Sequence, residues 1–326
     1  MDPTNAAREG TPGPGPSGPL DITVLTGGPS SERAVSLASG AAVAGALERC
    51  GHRVTPADID RTDATALDRE GLDVVFIALH GDFGESGDVQ DLCEQRHLAY
   101  TGSDATASRL ALDKAAAKQL FRRAGLTTPN WMILEHYHVP SQMHRWLAEL
   151  PPPVVCKPVD GGSSVDITIA RDTAARDAAL ERLLDDYGRA LVEAYVPGRE
   201  VTVGILADEA LPVLEVVPQG EFYDYRAKYA DDAGTRYTFE HGLGDDVCAR
   251  LQAAARTAHD ALGCRDMSRV DFVLDEAGTA HVLEINTIPG FTSHSLLPKA
   301  AARVGVSFEA LVNRLVALAA ERAACR

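Results

Sequence analysis

Asp73–Gln95 reads "DVVFIALHGDFGESGDVQDLCEQ", a continuous apolar run that opens into a glycine-rich loop and then a polar, helix-like segment. An apolar run without alternation predicts a strand buried on both faces. The same order occurs once earlier. Ile22–Leu25 is a short apolar strand, "TGGPSSE" (Thr26–Glu32) is a glycine-bearing loop, and an alanine-rich helix runs from about Glu32 to Glu48 and stops at Cys50-Gly51. "HRVTPADID" supplies a further strand between the two units. This β-loop-α alternation implies a doubly wound parallel sheet, a class that binds ligands beyond the carboxyl ends of its strands.

Downstream the pattern changes. Ser108–Gly125, "SRLALDKAAAKQLFRRAG", predicts one helix, and "TTPNWMIL" leads into a strand. "PPPVVCKPVDGGSSVDITIA" reads as strand, glycine turn and strand, and "RDTAARDAALERLLDDYG" as an amphipathic helix. Residues 191–220 resemble antiparallel strands separated by Pro-Gly and acidic turns. Residues 221–244, "EFYDYRAKYADDAGTRYTFEHGLG", are polar and aperiodic, too long for a routine connection and therefore expected to be functional or mobile. Two closing helices, "DDVCARLQAAARTAHDALG" and "SFEALVNRLVALAAERAA", bracket the strands "SRVDFVLDEAG" and "HVLEIN".

The 326-residue chain suggests two or three subdomains. Its net charge of -16 argues against nucleic acid or an anionic membrane as partner, since both are polyanions. Six cysteines without C-x-x-C spacing read as reduced, mostly buried thiols of a cytoplasmic protein. "MDPTNAAREG" lacks the apolar core of a signal peptide, and no later stretch is apolar enough to span a bilayer. "TPGPGPSGP" (Thr11–Pro19) is expected to lie in a disordered leader, residues 1–20. It spells G-x-G-x-x-G with no strand before or helix after it, so it carries no weight as a dinucleotide fingerprint.

In "HVLEINTIPGFTSHSLLP" (His281–Pro298), Glu284 and Asn286 are two residues apart on a strand and share a face. With Asp271 of "SRVDFVLD" on a neighbouring strand they would form a set of hard oxygen ligands suited to magnesium. The alternative is solvent-facing polar residues, although the apolar neighbours mark both strands as core, where uncompensated carboxylates are costly. Arg269 shares the face of Asp271, as a structural salt bridge or as an electrophile. Lys157, at a strand end before "GGSSV", suits phosphate oxygens or else is a solvated hairpin lysine. Lys114 on its helix reads as a solvated face. The turn at Pro289-Gly290 offers a backbone N–H to an oxyanion, and Ser295 suits a carboxylate.

Seven blocks in order, "GGPSSERAVSLASG", "LHGDFGESGDVQ", "YTGSDATASRLALDK", "VVCKPVDGGSSV", "FYDYRAKY", "SRVDFVLD" and "LEINTIPGFTSHSLLPKAA", resemble the D-alanine–D-alanine ligases of the ATP-grasp superfamily. The resemblance runs from about Asp21 to the C-terminus. It implies an α/β chain, α+β in the ATP-binding part: an ATP-grasp fold with an N-terminal Rossmann-like pre-ATP-grasp domain. The implied parts are an N-terminal α/β substrate domain (21–112), a central ATP-grasp subdomain (113–200) and a C-terminal subdomain with metal and catalytic residues (201–326). By resemblance Lys114 and Lys157 hold the ATP phosphates, Lys228 binds the cofactor, and Glu193 and Glu200 lie near the adenosine. Asp271, Glu284 and Asn286 would hold two Mg2+ ions, with Mn2+ as a substitute. Glu32 would receive the ammonium of the first D-alanine, and Ser163 and Tyr229 would tie the Lys228 loop over the site. Arg269 and the Gly290 amide would stabilise an oxyanion, an effect worth about 3 kcal/mol per donor, and Ser295 with the Leu296 amide would take the second carboxylate.

The implied activity is ATP-dependent ligation of two D-alanines through an acyl phosphate, for peptidoglycan precursors, by a cytoplasmic homodimer. The alternative is a diverged amino-acid ligase of a secondary or resistance pathway. Departures from the family pattern are Ser86, Asp91, Asp166 (where glycine is usual), Arg226 and Glu240-His241.

Overall fold

The computed structural model describes residues 18–162, 165–218, 235–292 and 295–325. The leader to residue 17, Ser163, Arg226, Lys228 and Tyr229 lie outside the described residues.

Strands β1 (Asp21–Thr26), β2 (Arg53–Asp58) and β3 (Val74–Ile77) form a parallel sheet in the order β2-β1-β3. All four residues of β3 are fully buried, as an unalternated apolar run requires. Helix α1 (Arg33–Arg49) crosses from β1 to β2. Short helices α2 (Asp82–Glu85) and α3 (Asp88–Gln95) follow β3. The core above this sheet joins both ends of the chain: Val43 and Leu47 of α1 pack in one cluster with Leu311, Leu315 and Val316.

The sequence reading of one helix over Ser108–Gly125 is corrected: α4 (Ala105–Leu112) and α5 (Lys114–Arg123) are separated at Asp113. Asp113 is extended, and its carboxylate accepts from the backbone N–H groups of Ala115 and Ala116, at 3.0 and 2.8 Å, capping α5. The break lets the Lys114 N–H donate to the Val159 carbonyl at 3.1 Å.

A four-stranded antiparallel sheet in the order β4-β7-β5-β6 comprises β4 (Trp131–Glu135), β5 (Val154–Pro158), β6 (Thr168–Ala170) and β7 (Arg189–Ala194). Helix α6 (Pro140–Glu149), which the sequence reading did not include, and α7 (Thr173–Tyr187) contribute Leu147, Leu180 and Leu183 to its core. The third sheet runs β11-β10-β8-β12-β13, with β9 (Glu209–Ala210) on β8. Its strands are β8 (Gly198–Leu206), β10 (Leu214–Val217), β11 (Arg236–Thr238), β12 (Met267–Asp275) and β13 (Ala280–Asn286). Phe121 of α5 and Leu251 and Ala255 of α8 (Asp245–Ala261) cover one face. Helices α9 (Leu296–Arg303) and α10 (Phe308–Ala324) close the chain, α9 being a second helix the sequence reading passed over.

All six cysteines are free, but only Cys93, Cys156 and Cys264 are buried; Cys50 and Cys325 are exposed, against the expectation of mostly buried thiols. Among the described residues no helix is long and apolar enough to cross a membrane.

Gly40 fixes how closely α1 lies on β1, because a Cβ there would come 2.3 Å from Thr26 Oγ1. The Thr26 hydroxyl is itself committed to the Ser36 carbonyl at 2.8 Å. Gly40→Ala gains about 1 kcal/mol of helix propensity, but the overpacking costs about 1–3 kcal/mol. Urea unfolding is expected to show a net loss of stability; a gain would mean that α1 is free to move off the sheet.

Candidate active site

The order β2-β1-β3 puts the topological switch point between β1 and β3, so the loops that leave these two strands border one crevice. The first loop ends in Glu32, which is 6% exposed, and the second carries His80 and leads to Glu85. The glycine turn after β5 comes against both carboxylates: a Cβ on Gly162 would lie 2.9 Å from Glu32 Oε1 and 3.8 Å from Glu85 Oε2. A side chain at this position would press on the Glu32 carboxylate. His80 Nε2 meets Ser39 Oγ at 2.9 Å, and its Nδ1 is 3.8 Å from Glu85 Oε1. Burial pushes the Glu85 carboxyl above its ordinary range against the pull of His80, and the charge of Glu32 adds to the rise.

Lys114, at the start of α5, is 6% exposed rather than solvated. Its ammonium donates to the Gly161 carbonyl and stands 3.9 Å from Glu284 Oε2. The helix break at Asp113 is what brings it to the glycine turn.

Lys157 is 4% exposed, which settles against a solvated hairpin lysine. It forms an ion pair with Glu193 of β7, Nζ to Oε1 at 2.5 Å. A residue not selected from the sequence completes the group: Lys118 of α5, with no exposed surface, reaches Glu193 Oε2 at 2.7 Å and donates to Thr128 Oγ1 at 2.6 Å. Burial pushes the Glu193 carboxyl up, but the attraction of Lys157 and Lys118 outweighs it and holds the group below the usual carboxylate range. Burial also pushes Lys118 down to about 8, despite the pull of Glu193. The signal was present in "DKAAAK", where lysines four apart share a helix face.

On the facing sheet, β12 and β13 pair antiparallel with Asp271 opposite Glu284 and Arg269 opposite Asn286. Arg269 grips Asp271 bidentately, Nε to Oδ1 at 2.9 Å and Nη2 to Oδ2 at 2.7 Å. Thr202 Oγ1 donates to Oδ1 at 2.6 Å and Asn286 Nδ2 to Oδ2 at 3.2 Å. Among the described residues no three His, Cys, Asp or Glu side chains gather as a metal cluster. The set here is two carboxylates and a carboxamide, whose hard oxygens fit a magnesium ion that keeps part of its water shell.

Both sheets line one cavity of about 330 Å³. Lys157, Glu193, Glu200, Asp271 and Glu284 supply its polar wall, and Val155, Ile169, Phe272 and Leu283 an apolar slot. A smaller recess beside it is bordered by Glu85, Lys114, Gly162, Glu284 and Asn286. Ser295 lies against Gly290: a Cβ there would come 2.6 Å from Ser295 Oγ, so a side chain would displace that hydroxyl. Ser295 precedes α9, and its Oγ accepts from the Thr292 N–H at 2.9 Å. Phe291 packs edge-on against Phe76 of β3 at 5.3 Å, tying this turn to the first sheet.

The departures also find places. Asp166 has φ +54°, a left-handed conformation that explains the usual glycine, and it accepts a hydrogen bond from the Tyr187 hydroxyl. That bond pushes Tyr187 up to about 12. Asp91 pairs with Arg109. The His241 carbonyl accepts from Arg199, which also grips Glu215 on the cavity wall. Nothing in the structure explains Ser86, whose buried hydroxyl lacks a partner.

A family model described as "D-ala D-ala ligase C-terminus" matches residues 120–317. A D-alanine--D-alanine ligase of Gloeobacter violaceus is 44% identical over 298 residues, 91% of this chain and 98% of that protein. The crystal structure of the Bacillus anthracis D-alanine--D-alanine ligase superimposes with a TM-score of 0.85 at 31% identity, covering 94% of this chain and 99% of the other. Its complex with ATP gives 0.82 at 30% identity, covering 94% and 98%.

Glu193→Gln would leave Lys118 and Lys157 buried side by side with no counter-charge, a loss of about 3–5 kcal/mol. The deficit should shrink as pH rises. A lysine whose folded pKa lies below its unfolded value binds fewer protons folded than unfolded within that window, so stability rises with pH there. For Lys118 the window already runs from about 8 to about 10.4. Urea unfolding of the variant at pH 7 and pH 9.5 checks this; a deficit that stays constant or grows would contradict the burial of both charges.

Proposed function

The chain belongs to the D-alanine–D-alanine ligase family, and from that membership and the geometry of the cavity we propose that it joins two D-alanines with ATP, giving D-alanyl-D-alanine, ADP and phosphate. Its fold is that of the ATP-grasp proteins. We take the three sheets to mark three units, residues 21–112, 113–200 and 201–326. The reading includes a cytoplasmic homodimer serving peptidoglycan precursor synthesis.

One observation carries the reading: buried Lys157 of β5 shares the cavity with Asp271 and Glu284 of β12 and β13, and buried Lys114 of α5 shares the adjoining recess with Glu284 and Asn286. A polyanion whose charge is met by metal on one side and ammonium groups on the other fits that arrangement. The apolar slot takes the base, and Glu193 and Glu200 on the cavity wall lie near the adenosine. Lys114 and Lys157 hold phosphate oxygens, and Lys228, outside the described residues, belongs to the same cofactor-binding set. Asp271, Glu284 and Asn286 hold magnesium, which supplies charge neutralisation at the transferring phosphoryl group.

Glu32 receives the ammonium of the first D-alanine and leaves its carboxylate free to attack the γ-phosphoryl group. The resulting acyl phosphate is attacked by the amine of the second D-alanine, whose carboxylate rests on Ser295 and the Leu296 amide at the start of α9, where the helix dipole favours an anion. Arg269 and the Gly290 amide stabilise the tetrahedral oxyanion. Ser163, Lys228 and Tyr229, which lie outside the described residues, belong to this reading as the groups that would exclude water able to hydrolyse the intermediate.

The test is phosphate release from Mg-ATP with D-alanine, with L-alanine and with no amino acid, the product being weighed by mass spectrometry. Turnover is expected with D-alanine alone, as the dipeptide. Loss of a ligand in Glu284→Ala should lower kcat by at least about 100-fold. Phosphate release that ignores D-alanine, or that yields no dipeptide, would overturn the proposal.

A further inference from the structure

Lys118 has no exposed surface, does not line the cavity, and is not used by the mechanism above. A buried ammonium costs several kcal/mol to desolvate, and a methionine or leucine would fill the same space without that cost. The structure indicates what the charge does. Its Nζ stands 2.7 Å from Glu193 Oε2 and donates to Thr128 Oγ1 at 2.6 Å. The Thr128 hydroxyl in turn donates to the Val282 carbonyl of β13 at 2.7 Å, so the ammonium is anchored to the sheet opposite Glu193. Glu193 is therefore held through one oxygen by Lys118 and through the other by Lys157, and it lines the cavity beside the apolar slot. On the nucleotide reading, Lys157 would turn to a phosphate and leave that oxygen to the base.

We propose that Lys118 is a positioning residue that selects the nucleobase: it keeps Glu193 a fixed, acceptor-only carboxylate, so the slot admits a base edge bearing an amino group and rejects one bearing a carbonyl. The inference rests on the nucleotide reading of this cavity. An ionised carboxylate accepts from an amine and repels a carbonyl, whereas a protonated one carries an O–H that satisfies the carbonyl. The charges facing Glu193 are Lys157 from β5 and Lys118 from α5, and Glu284 from β13 also acts on Lys118. With Lys157 drawn to phosphate, Lys118 is the cation that opposes the effect of burial on Glu193. Removing it lets the carboxyl take up a proton and lose its preference.

Adenosine and inosine triphosphates present an amino group and a carbonyl at the same ring position, which makes them the probes. Dissociation constants for both, measured by calorimetry with magnesium, should show a strong preference for ATP in the unaltered protein. Lys118→Met should shrink the ATP/ITP ratio by about tenfold or more, and Thr128→Val, which keeps the charge but removes its anchor, by about threefold. Under turnover the loss should fall on KM for ATP, with kcat at saturation within about threefold of the unaltered enzyme. Because a ratio of constants does not depend on the folded fraction, a poorly folding variant still reports. An unchanged ratio in both variants overturns the inference, as does an unaltered protein that binds the two nucleotides equally. A protein that binds neither overturns the nucleotide reading together with it. Selective ATP binding without dipeptide formation contradicts the ligase reading alone.

Discussion

The pairing of Glu193 with two buried lysines is the constraint on which the site depends. Three charges enclosed in the core are tolerable only if each stays within reach of its partner, because the desolvation penalty returns in full when one is removed. Lys118 is on α5, Lys157 on β5 and Glu193 on β7, so the trio fastens a helix to the central sheet. The Thr128 relay to the Val282 carbonyl extends the fastening to the third sheet. The two walls of the cavity are thus registered against each other by polar contacts in the interior, and the apolar slot between them keeps its width.

The opposite wall follows a similar logic. Asp271 is held by Arg269, Thr202 and Asn286, donors from three adjacent positions of β12, β8 and β13. Antiparallel pairing makes this local, since residues opposite one another on neighbouring strands are close enough for direct contact. The carboxylate is preorganised by these neighbours. Glu284, directly across the ladder from Asp271, faces Lys114 at the mouth of the glycine turn. The groups proposed to hold metal and phosphate therefore border one recess.

Much of this was legible in the sequence because it is periodic. The unalternated run at Asp73–Leu79 and the glycine loops predicted the parallel sheet, and the two-residue spacing of Glu284 and Asn286 placed both on one face. What escaped depended on long-range competition. Lys114 read from the residues alone as a solvated helix lysine, and Lys118 was not singled out, because propensity carries no information about what a helix packs against. The break at Asp113 was hidden by an otherwise continuous helical composition, although an aspartate before "KAAAK" is a capping signal. Helix α6 opens with Pro140 itself, and α9 follows the Pro-, Gly- and Ser-bearing stretch "TIPGFTSHS", so in both places the local sequence favours loop as readily as helix. Asp166 was recognised as a departure, but its left-handed backbone and its bond to Tyr187 belong to the folded chain.

The most direct test of the central interaction is a double-mutant cycle on stability, using Lys118→Met, Glu193→Gln and the two combined, by urea unfolding at pH 7. If the charges are coupled as described, Lys118→Met destabilises the unaltered protein but stabilises the Glu193→Gln variant, because there it removes an uncompensated buried cation. Additive losses, with Lys118→Met equally harmful in both backgrounds, would contradict the account.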